Sequence, residues 1–170
     1  MAKQTDPRVL ARSPCQLLKR ASQYAASIYM DRVGRTGLTQ RQFAVLTGAE
    51  RNEGASQTEL VRVTGIDRST LADLVARLMA QGYLQARREG DDGRTNTVRL
   101  TAAGRRALRA AEPGAGDADK QVLAAVPPKH RKSFIEGLMS LASRLEAEET
   151  PAPKAPRARN STRKAKSTSG

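Results

Sequence analysis

Cysteine, histidine and aromatic residues are scarce in this chain. Its 170 residues include one cysteine, one histidine, no tryptophan, three tyrosines and two phenylalanines. A single cysteine excludes a disulfide within the chain. The histidine, His130, lies among basic residues, and no set of histidine, cysteine and carboxylate residues has metal-ligand spacing. We therefore predict no metal site, no cofactor and no catalytic site, with His130 an exposed helix residue.

Long apolar runs are also missing. No segment has the roughly 20 apolar residues that a membrane-spanning helix needs, and no apolar stretch follows the charged N-terminus as in a secretion signal. These absences predict a cytoplasmic protein without a membrane partner.

Acidic residues are outnumbered, with 17 against 30 lysines and arginines and a formal net charge of +13. The basic excess lies in residues 1–40, 41–109 and 150–170, whereas residues 110–149 are slightly acidic. Basic charge that is concentrated in separate regions favours a nucleic-acid partner.

Residues 56–81 have the pattern of two short helices joined by a turn. Ser56 and Glu59 have the spacing of a capping box. Gly65 suits the left-handed residue that ends a helix, and Asp67 suits the N-cap of the next one. This order of parts predicts a helix–turn–helix.

The second helix, predicted from Arg68 to about Gln81, has one apolar and one polar face. Its apolar residues recur at helical spacing and comprise Leu71, Leu74, Val75, Leu78 and Met79. The opposite face begins with short polar side chains, which would let the helix enter a groove. A solvated face is the alternative interpretation of the same pattern.

A basic hairpin follows this helix. Tyr83–Glu89 and Thr95–Leu100 have the pattern of strands, joined by a turn at residues 90–93. Val98 is predicted to face inward and Thr97 outward. Four arginines lie on the hairpin, namely Arg87, Arg88, Arg94 and Arg99.

Three motifs occur in order between residues 65 and 108: GIDRSTLADLVARLMAQGYL, DDGR and VRLTAAGRRAL. They resemble the D-R-S-T recognition helix, D-x-R wing and L-T-x-x-G helix start of the MarR family of bacterial regulators. The resemblance covers about residues 13–147. It implies a mainly α fold with a small β-hairpin wing, in which a winged helix–turn–helix reading head joins a helical dimerisation region.

On this basis we divide the chain into four parts. Residues 1–12 are predicted to be a flexible N-terminus. Residues 13–38 and 101–147 would form the dimerisation region, and residues 39–100 the DNA-binding region. Residues 148–170 are predicted to be a disordered basic tail, because proline, serine and cations cannot bury a core. The tail would either add nonspecific DNA affinity or only aid solubility.

The remaining helices are predicted from residues that end helices and from apolar residues that recur at helical spacing. The first is predicted from Cys15 to about Val33, and the second from a Thr39 cap to about Asn52, followed by a loop at residues 53–55. A long helix begins at Thr101, with a kink or short break expected at Pro113, Gly114 and Gly116. The last helix is predicted from about Pro128 to Glu146 and has more apolar surface than a lone helix can bury.

The resemblance implies that this surface belongs to a homodimer bound to double-stranded DNA with a pseudo-palindromic operator. The recognition helix would enter the major groove. Arg94 would enter the minor groove, oriented by Asp92. The residues predicted to contact DNA or to brace the wing are Arg68, Ser69, Thr70, Asp73, Arg77, Arg87, Arg88, Asp92, Arg94 and Arg99.

The resemblance also implies a repressor that a small molecule releases. In the family, a crevice between the first helices and the reading head binds aromatic carboxylates and phenols, and some members respond to coenzyme A thioesters. The predicted ligand-binding residues are Tyr24, Ile28, Tyr29, Arg32, Arg41 and Phe43. Core packing is the other role open to these aromatic residues.

Two further functions remain open. Cys15 lies at a helix start, where amide dipoles favour a reactive thiolate, and a branch of the family senses organic hydroperoxides through a cysteine in this region. Tyr29 fits that branch, whereas Lys19 and Gln40 replace its usual tyrosines. Cys15 could instead be a small buried residue near the dimer interface. A nonspecific, nucleoid-type DNA binder is the other alternative, favoured by the basic tail.

Overall fold

The structure is a computed structural model that describes residues 7–34, 37–89 and 95–148. Its helices are α1 (Pro7–Arg12), α2 (Pro14–Val33), α3 (Gln40–Arg51), α4 (Gln57–Thr64), α5 (Arg68–Ala80), α6 (Ala102–Ala124) and α7 (Arg131–Glu148). Its strands are β1 (Ala55–Ser56), β2 (Leu84–Glu89) and β3 (Thr95–Leu100). The predicted fold class, mainly helical with a small hairpin, is confirmed.

Local capping sets the ends of α3 and α4 as predicted. At α3, the Thr39 hydroxyl accepts from the Gln42 amide and the Gln42 side chain accepts from the Thr39 amide. At α4, Ser56 and Glu59 exchange the same pair of bonds. Gly65 ends α4 with φ 64°, a left-handed conformation that costs glycine little.

The sheet has three antiparallel strands in the order β1–β3–β2, so the prediction of a loop up to Ala55 is wrong. Ala55 pairs with Val98, and Ser56 pairs with Thr97. Thr97, which was predicted to face outward, is buried. The Thr97 hydroxyl donates to the Arg87 carbonyl at 3.1 Å, so its burial leaves no unpaired donor.

Helix α6 is continuous through Pro113, so of the predicted kink or short break the break is absent. Its buried face, formed by Leu108, Ala111, Ala115 and Ala118, keeps helical spacing on both sides of the proline. Gly114 lets α2 approach, since a Cβ there would lie 2.6 Å from the Arg32 carbonyl oxygen. Close packing against α2 therefore supports the helix where local sequence favours a break.

The start of α6 contacts the segment that follows α5. We call this contact the Gly104 junction, and it is formed by Gly82, Tyr83, Thr101 and Gly104. The Thr101 hydroxyl donates to the Gly82 carbonyl at 2.6 Å and accepts from the Gly104 amide at 3.0 Å. The Thr101 amide donates to the Tyr83 carbonyl. A Cβ on Gly104 would overlap that carbonyl oxygen, so the two segments meet backbone to backbone.

Two predictions near the ends of the chain need correction. Residues 7–12, assigned to a flexible N-terminus, form α1. The last helix begins at Arg131, after a 3-10 turn at Pro128–His130, rather than at Pro128. The proline pair does end α6 as predicted, because proline cannot continue the hydrogen-bonding pattern of a helix. His130 is exposed, as expected.

Apolar side chains on α2 and α7 remain at the surface of the single chain. Leu17 and Leu18 on α2 and Met139 and Leu141 on α7 are 42–66% exposed. An apolar groove of about 640 Å³ runs between α2, α6 and α7 and is lined by residues that include Phe134, Ile135 and Leu138. The stripes predicted for both helices are thus present, and part of their area is uncovered in the single chain.

None of the described helices is long and apolar enough to cross a membrane. Within the same residues, no cluster of three histidine, cysteine or carboxylate side chains could hold a metal ion.

Candidate nucleic-acid interface

The recognition helix α5 is fixed at its first turn by Asp67. One carboxylate oxygen of Asp67 accepts from the Thr70 amide at 2.9 Å and from the Ser69 hydroxyl at 2.7 Å. These hydrogen bonds, the Thr70 amide first, lower the pKa of the Asp67 carboxyl to about 2. Asp67 therefore stays ionised at neutral pH and complements the positive end of the helix dipole.

The face of α5 opposite the core presents the predicted DNA-contacting residues. Arg68, Ser69, Asp73 and Arg77 are exposed, and Thr70 is half-buried. The inward face is buried at Leu71, Val75 and Leu78 as predicted, with Leu74 and Met79 half-buried. Both faces of the recognition helix thus have the polarity that the sequence indicated.

Arg68 has a partner within the helix–turn–helix. Its Nη2 donates to the Thr58 hydroxyl at 3.1 Å, which links the first turn of α5 to the first turn of α4. Arg68 can therefore hold the two helices together, and the residue is exposed to solvent.

The wing residues are described only in part. Arg87 is exposed on β2. The side chain of Arg88 and the whole of Asp92 and Arg94 lie outside the described residues, so their predicted roles remain predictions. Arg99 is half-buried at the base of β3 and lies 3.6 Å from the Glu53 carboxylate, in the loop before β1. Of its two predicted roles, bracing the wing fits this position.

A cavity of about 570 Å³ lies beside the reading head, bounded by α2, α3, α4 and α6. Tyr29 of α2 and Phe43 of α3 both line it, with ring centroids 6.1 Å apart. These two predicted ligand-binding residues are therefore brought together.

The other four predicted ligand-binding residues do not line the cavity. Ile28 is buried in the core, and Tyr24 is half exposed on α2. Arg32 uses its Nε and Nη2 to bind the Gln121 side-chain oxygen at 3.0 and 2.7 Å, which ties α2 to α6. Arg41 is exposed elsewhere on α3.

The prediction missed the polar residues that α3 supplies to this cavity. Thr47 and Arg51 line it together with Phe43. The three recur at intervals of four residues, so they share one face of α3. That spacing is visible in the sequence and would have favoured Arg51 over Arg41 as the cation of the site.

Two residues that line the cavity carry buried hydroxyl groups without a hydrogen-bond partner among the described residues. The Tyr29 hydroxyl and the Thr47 Oγ1 are buried and bind no other atom of the described residues. Burial raises the pKa of Tyr29 to about 12, so its phenol stays protonated and can both donate and accept.

Cys15 is a free, exposed thiol in the first turn of α2. Burial near a dimer interface, the alternative role of Cys15, stays a prediction, because the structure contains one chain. Lys19, one turn further along, is also exposed.

Comparison with known proteins supports the same reading head. The sequence profile of the MarR family matches residues 36–95, which run from the start of α3 into the wing. A probable transcriptional regulator from Pseudomonas aeruginosa is 30% identical, and the match covers 78% of this chain and 98% of that one with a TM-score of 0.70. The chain belongs to the MarR family.

Two further MarR-like proteins carry functional descriptions. BpsR of Bordetella bronchiseptica, whose DNA binding is regulated by 6-hydroxynicotinic acid, has a TM-score of 0.73 and 26% identity over 78% of this chain and 94% of its own. The Pseudomonas putida repressor NicR is 32% identical over 97 residues, which are 57% of this chain and 61% of NicR.

As a MarR-family protein, the chain is a DNA-binding transcription regulator with a winged helix–turn–helix. Helices α4 and α5 form the helix–turn–helix, and β2 and β3 form the wing. The relatives are transcription regulators rather than enzymes.

Proposed function

We propose that the chain is a repressor that binds a pseudo-palindromic operator as a homodimer and releases it when a small aromatic acid or phenol enters the cavity beside the reading head. The observation that carries this proposal is the position of the cavity between two groups of helices. Tyr29 and Ala115 belong to the α2–α6 frame, whereas Phe43 and Val63 belong to helices that support the recognition helix. The relatives add support, since NicR is a repressor and BpsR responds to an aromatic acid.

The exposed polar face of α5 would bind the major groove. Ser69, Thr70, Asp73 and Arg77 would meet base edges, and Arg68 the adjacent backbone. Arg94 would enter the minor groove, oriented by Asp92, while Arg87 and Arg88 would contact phosphates. The contact between Arg99 and Glu53 would keep the wing against β1.

A homodimer would cover the apolar groove between α2, α6 and α7. Leaving Leu138, Met139 and Leu141 in water forgoes the free energy of burying them, about 25 cal/mol for each Å². Two-fold symmetry would then place two recognition helices on two half-sites. Such a protein would act in the cytoplasm, on bacterial DNA.

A ligand releases DNA only if it binds more tightly to the arrangement that does not fit the operator. The cavity suits such a ligand because its walls belong to both helix groups. A ring that wedges α3 and α4 away from α6 would change the distance between the two recognition helices of the dimer. The effector could be the free acid, the phenol or a coenzyme A thioester of the acid.

The first experiment is a gel shift with the DNA upstream of the protein's own gene. It is repeated with aromatic acids, their coenzyme A thioesters and an organic hydroperoxide, for the wild type and for Cys15→Ser. We expect a sequence-preferring shift that one aromatic compound abolishes in both proteins.

The other outcomes assign the alternatives. Loss of the shift only with hydroperoxide, and only while Cys15 is present, would replace the ligand with redox control at this exposed thiol. Equal binding to unrelated DNA would refute the operator and favour a nucleoid-type binder.

A further inference from the structure

We infer that Ser69 recognises a hydrogen-bond donor of the DNA, the exocyclic amine of an adenine or a cytosine, because Asp67 holds the Ser69 hydroxyl hydrogen and leaves only its lone pairs free. The inference rests on the proposed function, since it concerns the operator that the same recognition helix would bind. It adds the class of base edge at one position of that operator. Ser69 is then a specificity-determining residue, and Asp67 is its positioning residue.

Ser69 lies on the face of α5 that is predicted to contact bases. It is exposed in the first turn of α5, and Asp73 and Arg77 continue the same exposed face at intervals of four residues. Leu71, on the inward face, is fully buried. A duplex that contacts the exposed face therefore meets Ser69 at the N-terminal end of the recognition helix, the end that commonly contacts base edges.

The hydrogen bond between Ser69 and Asp67 has one possible direction. Oδ1 of Asp67 lies 2.7 Å from Oγ of Ser69 and 2.9 Å from the amide nitrogen of Thr70. These hydrogen bonds, the one from the Thr70 amide first, lower the pKa of the Asp67 carboxyl to about 2, so at neutral pH it is ionised and only accepts. The shared hydrogen therefore belongs to Ser69, whose hydroxyl has no second hydrogen to donate to DNA.

A serine without such a partner could bind either kind of base edge. Its hydroxyl can donate to N7 or O6 of guanine and to O4 of thymine, or accept from the amine of adenine or cytosine. To donate to one of these neutral acceptors, Ser69 would have to release an ionised carboxylate. Charge-assisted hydrogen bonds are roughly twice as strong as neutral ones, so this exchange is unfavourable and Ser69 accepts instead.

The phosphate backbone is a poor partner for the same hydroxyl. An ionised phosphate has no hydrogen to give, so it cannot bind the lone pairs of Ser69. If it took the Ser69 hydrogen instead, its negative charge would lie close to the Asp67 carboxylate, and like charges repel. Arg68, which donates to the Thr58 hydroxyl at 3.1 Å, is the residue of this turn that suits a phosphate.

The test begins with the selection of duplexes from a random library by the full-length wild type. In the selected operator, each adenine is replaced in turn by unsubstituted purine and each cytosine by 2-pyrimidinone, which both lack the exocyclic amine. Each adenine or guanine is also replaced by its 7-deaza form, which lacks the N7 acceptor. Dissociation constants are measured by fluorescence anisotropy at one salt concentration, because binding to phosphates depends on salt.

Each base analogue is combined with Ser69→Ala in a double-mutant cycle, which cancels the effect of the analogue on base pairing itself. We expect one amine deletion in a half-site to weaken wild-type binding by about fivefold, the usual effect of one neutral hydrogen bond, and to have no such effect on Ser69→Ala. No 7-deaza base should be coupled to Ser69. Arg77→Ala is the matched control on the same face, and it should bind more weakly overall but keep the wild-type sensitivity to the amine.

Two variants of Asp67 separate its positioning role from helix capping. Asparagine keeps an oxygen that can accept from both Ser69 and Thr70, so Asp67→Asn should keep the sensitivity to the amine. Glycine also caps helices at little cost but has no side-chain acceptor. Asp67→Gly should therefore free the Ser69 hydroxyl and select operators in which donor and acceptor bases both occur at this position. A role in stability alone would weaken binding to all duplexes alike.

The other outcomes overturn the inference. Coupling of Ser69→Ala to a 7-deaza base, no coupling to any amine, or full base selectivity in an Asp67→Gly protein that is folded by circular dichroism would each refute it. In those cases the selected operator leaves the proposed function standing. If the wild type selects no sequence at all, the proposed function has failed, and the inference fails with it.

Discussion

At the scale of single residues, Asp67 shows how one side chain prepares the recognition helix. It accepts two hydrogen bonds from the first turn of α5, and its pKa is lowered to about 2 by them. Ser69 thereby donates its hydroxyl hydrogen to Asp67 and offers its lone pairs to solvent. Asp67 is not predicted to contact bases, but it determines which hydrogen bonds are left to Ser69, which is predicted to contact them.

The lowered pKa of Asp67 predicts a defined pH dependence. Its carboxylate stabilises the fold at any pH above the ordinary value near 4, and this contribution is lost as the pH falls toward 2. Asn also caps helices but does not titrate. The difference in urea midpoint between wild type and Asp67→Asn should therefore change between pH 5 and pH 2.5, and the wild type should lose more. Asp73→Asn is the control, because Asp73 is an exposed residue of the same helix that does not cap it, and this variant should show no such trend. If the urea midpoints of wild type and Asp67→Asn changed in parallel with pH, the role assigned to the cap would be contradicted.

At the scale of secondary-structure elements, the sequence predicted what depends on neighbours along the chain. The capping boxes at Thr39 and Ser56, the Gly65 turn and the apolar face of α5 are all set within a few residues. Strand β1 was missed, and the continuity of α6 past Pro113 was left undecided, because both depend on partners far away in sequence, β3 and α2. The local sequence pattern does not predict partners that lie so far away in the chain.

The cavity residues also divide into those that the sequence indicates and those that only the fold reveals. Tyr29 and Phe43 were predicted because aromatic residues are rare here and cluster on two helices. Arg32 does not line the cavity, and only the fold reveals Gln121 as its partner. Thr47 could not be singled out from sequence, since only the fold shows its place in the cavity and its buried hydroxyl without a partner among the described residues.

The Gly104 junction provides a test at this scale. Ala at position 104 would push its methyl group into the Tyr83 carbonyl, so α5 and α6 would have to separate. We expect Gly104→Ala to destabilise the protein by about 1–3 kcal/mol, as overpacking usually does, and to weaken operator binding in excess of the unfolded fraction. The measurements are urea unfolding and a gel shift under conditions where the variant is folded.

Gly116→Ala is the matched control for this junction. It lies in the same helix, and nothing is within 4 Å of its added Cβ. Alanine is the better helix former by about 1 kcal/mol, so this variant should be as stable as the wild type or more so, with unchanged DNA affinity. If both variants behaved alike, close backbone contact at Gly104 would not matter for DNA binding.

At the scale of the whole molecule, the uncovered apolar surface and the geometry of an operator with two half-sites both favour a homodimer. One chain holds a single recognition helix and leaves the apolar groove between α2, α6 and α7 open. A second copy would cover the groove and supply the second recognition helix. The tail at residues 150–170, with six basic and no acidic side chains, lies outside the described residues, and its predicted DNA role stays a prediction.

The dimer can be tested by placing a charge in the groove. Leu138 lines the groove and is 37% exposed in the single chain. Leu138→Glu would bury an unpaired carboxylate at the interface, a cost of several kcal/mol that should shift the protein to monomers in analytical ultracentrifugation. Operator affinity should fall with it, because two half-sites bound by one dimer gain from effective concentration that two monomers lack. Ser140→Glu is the control, because it adds the same charge to an exposed position of α7 that does not line the groove, and this variant should remain dimeric. A dimeric Leu138→Glu protein with full operator affinity would mean that this face is not where the two copies meet.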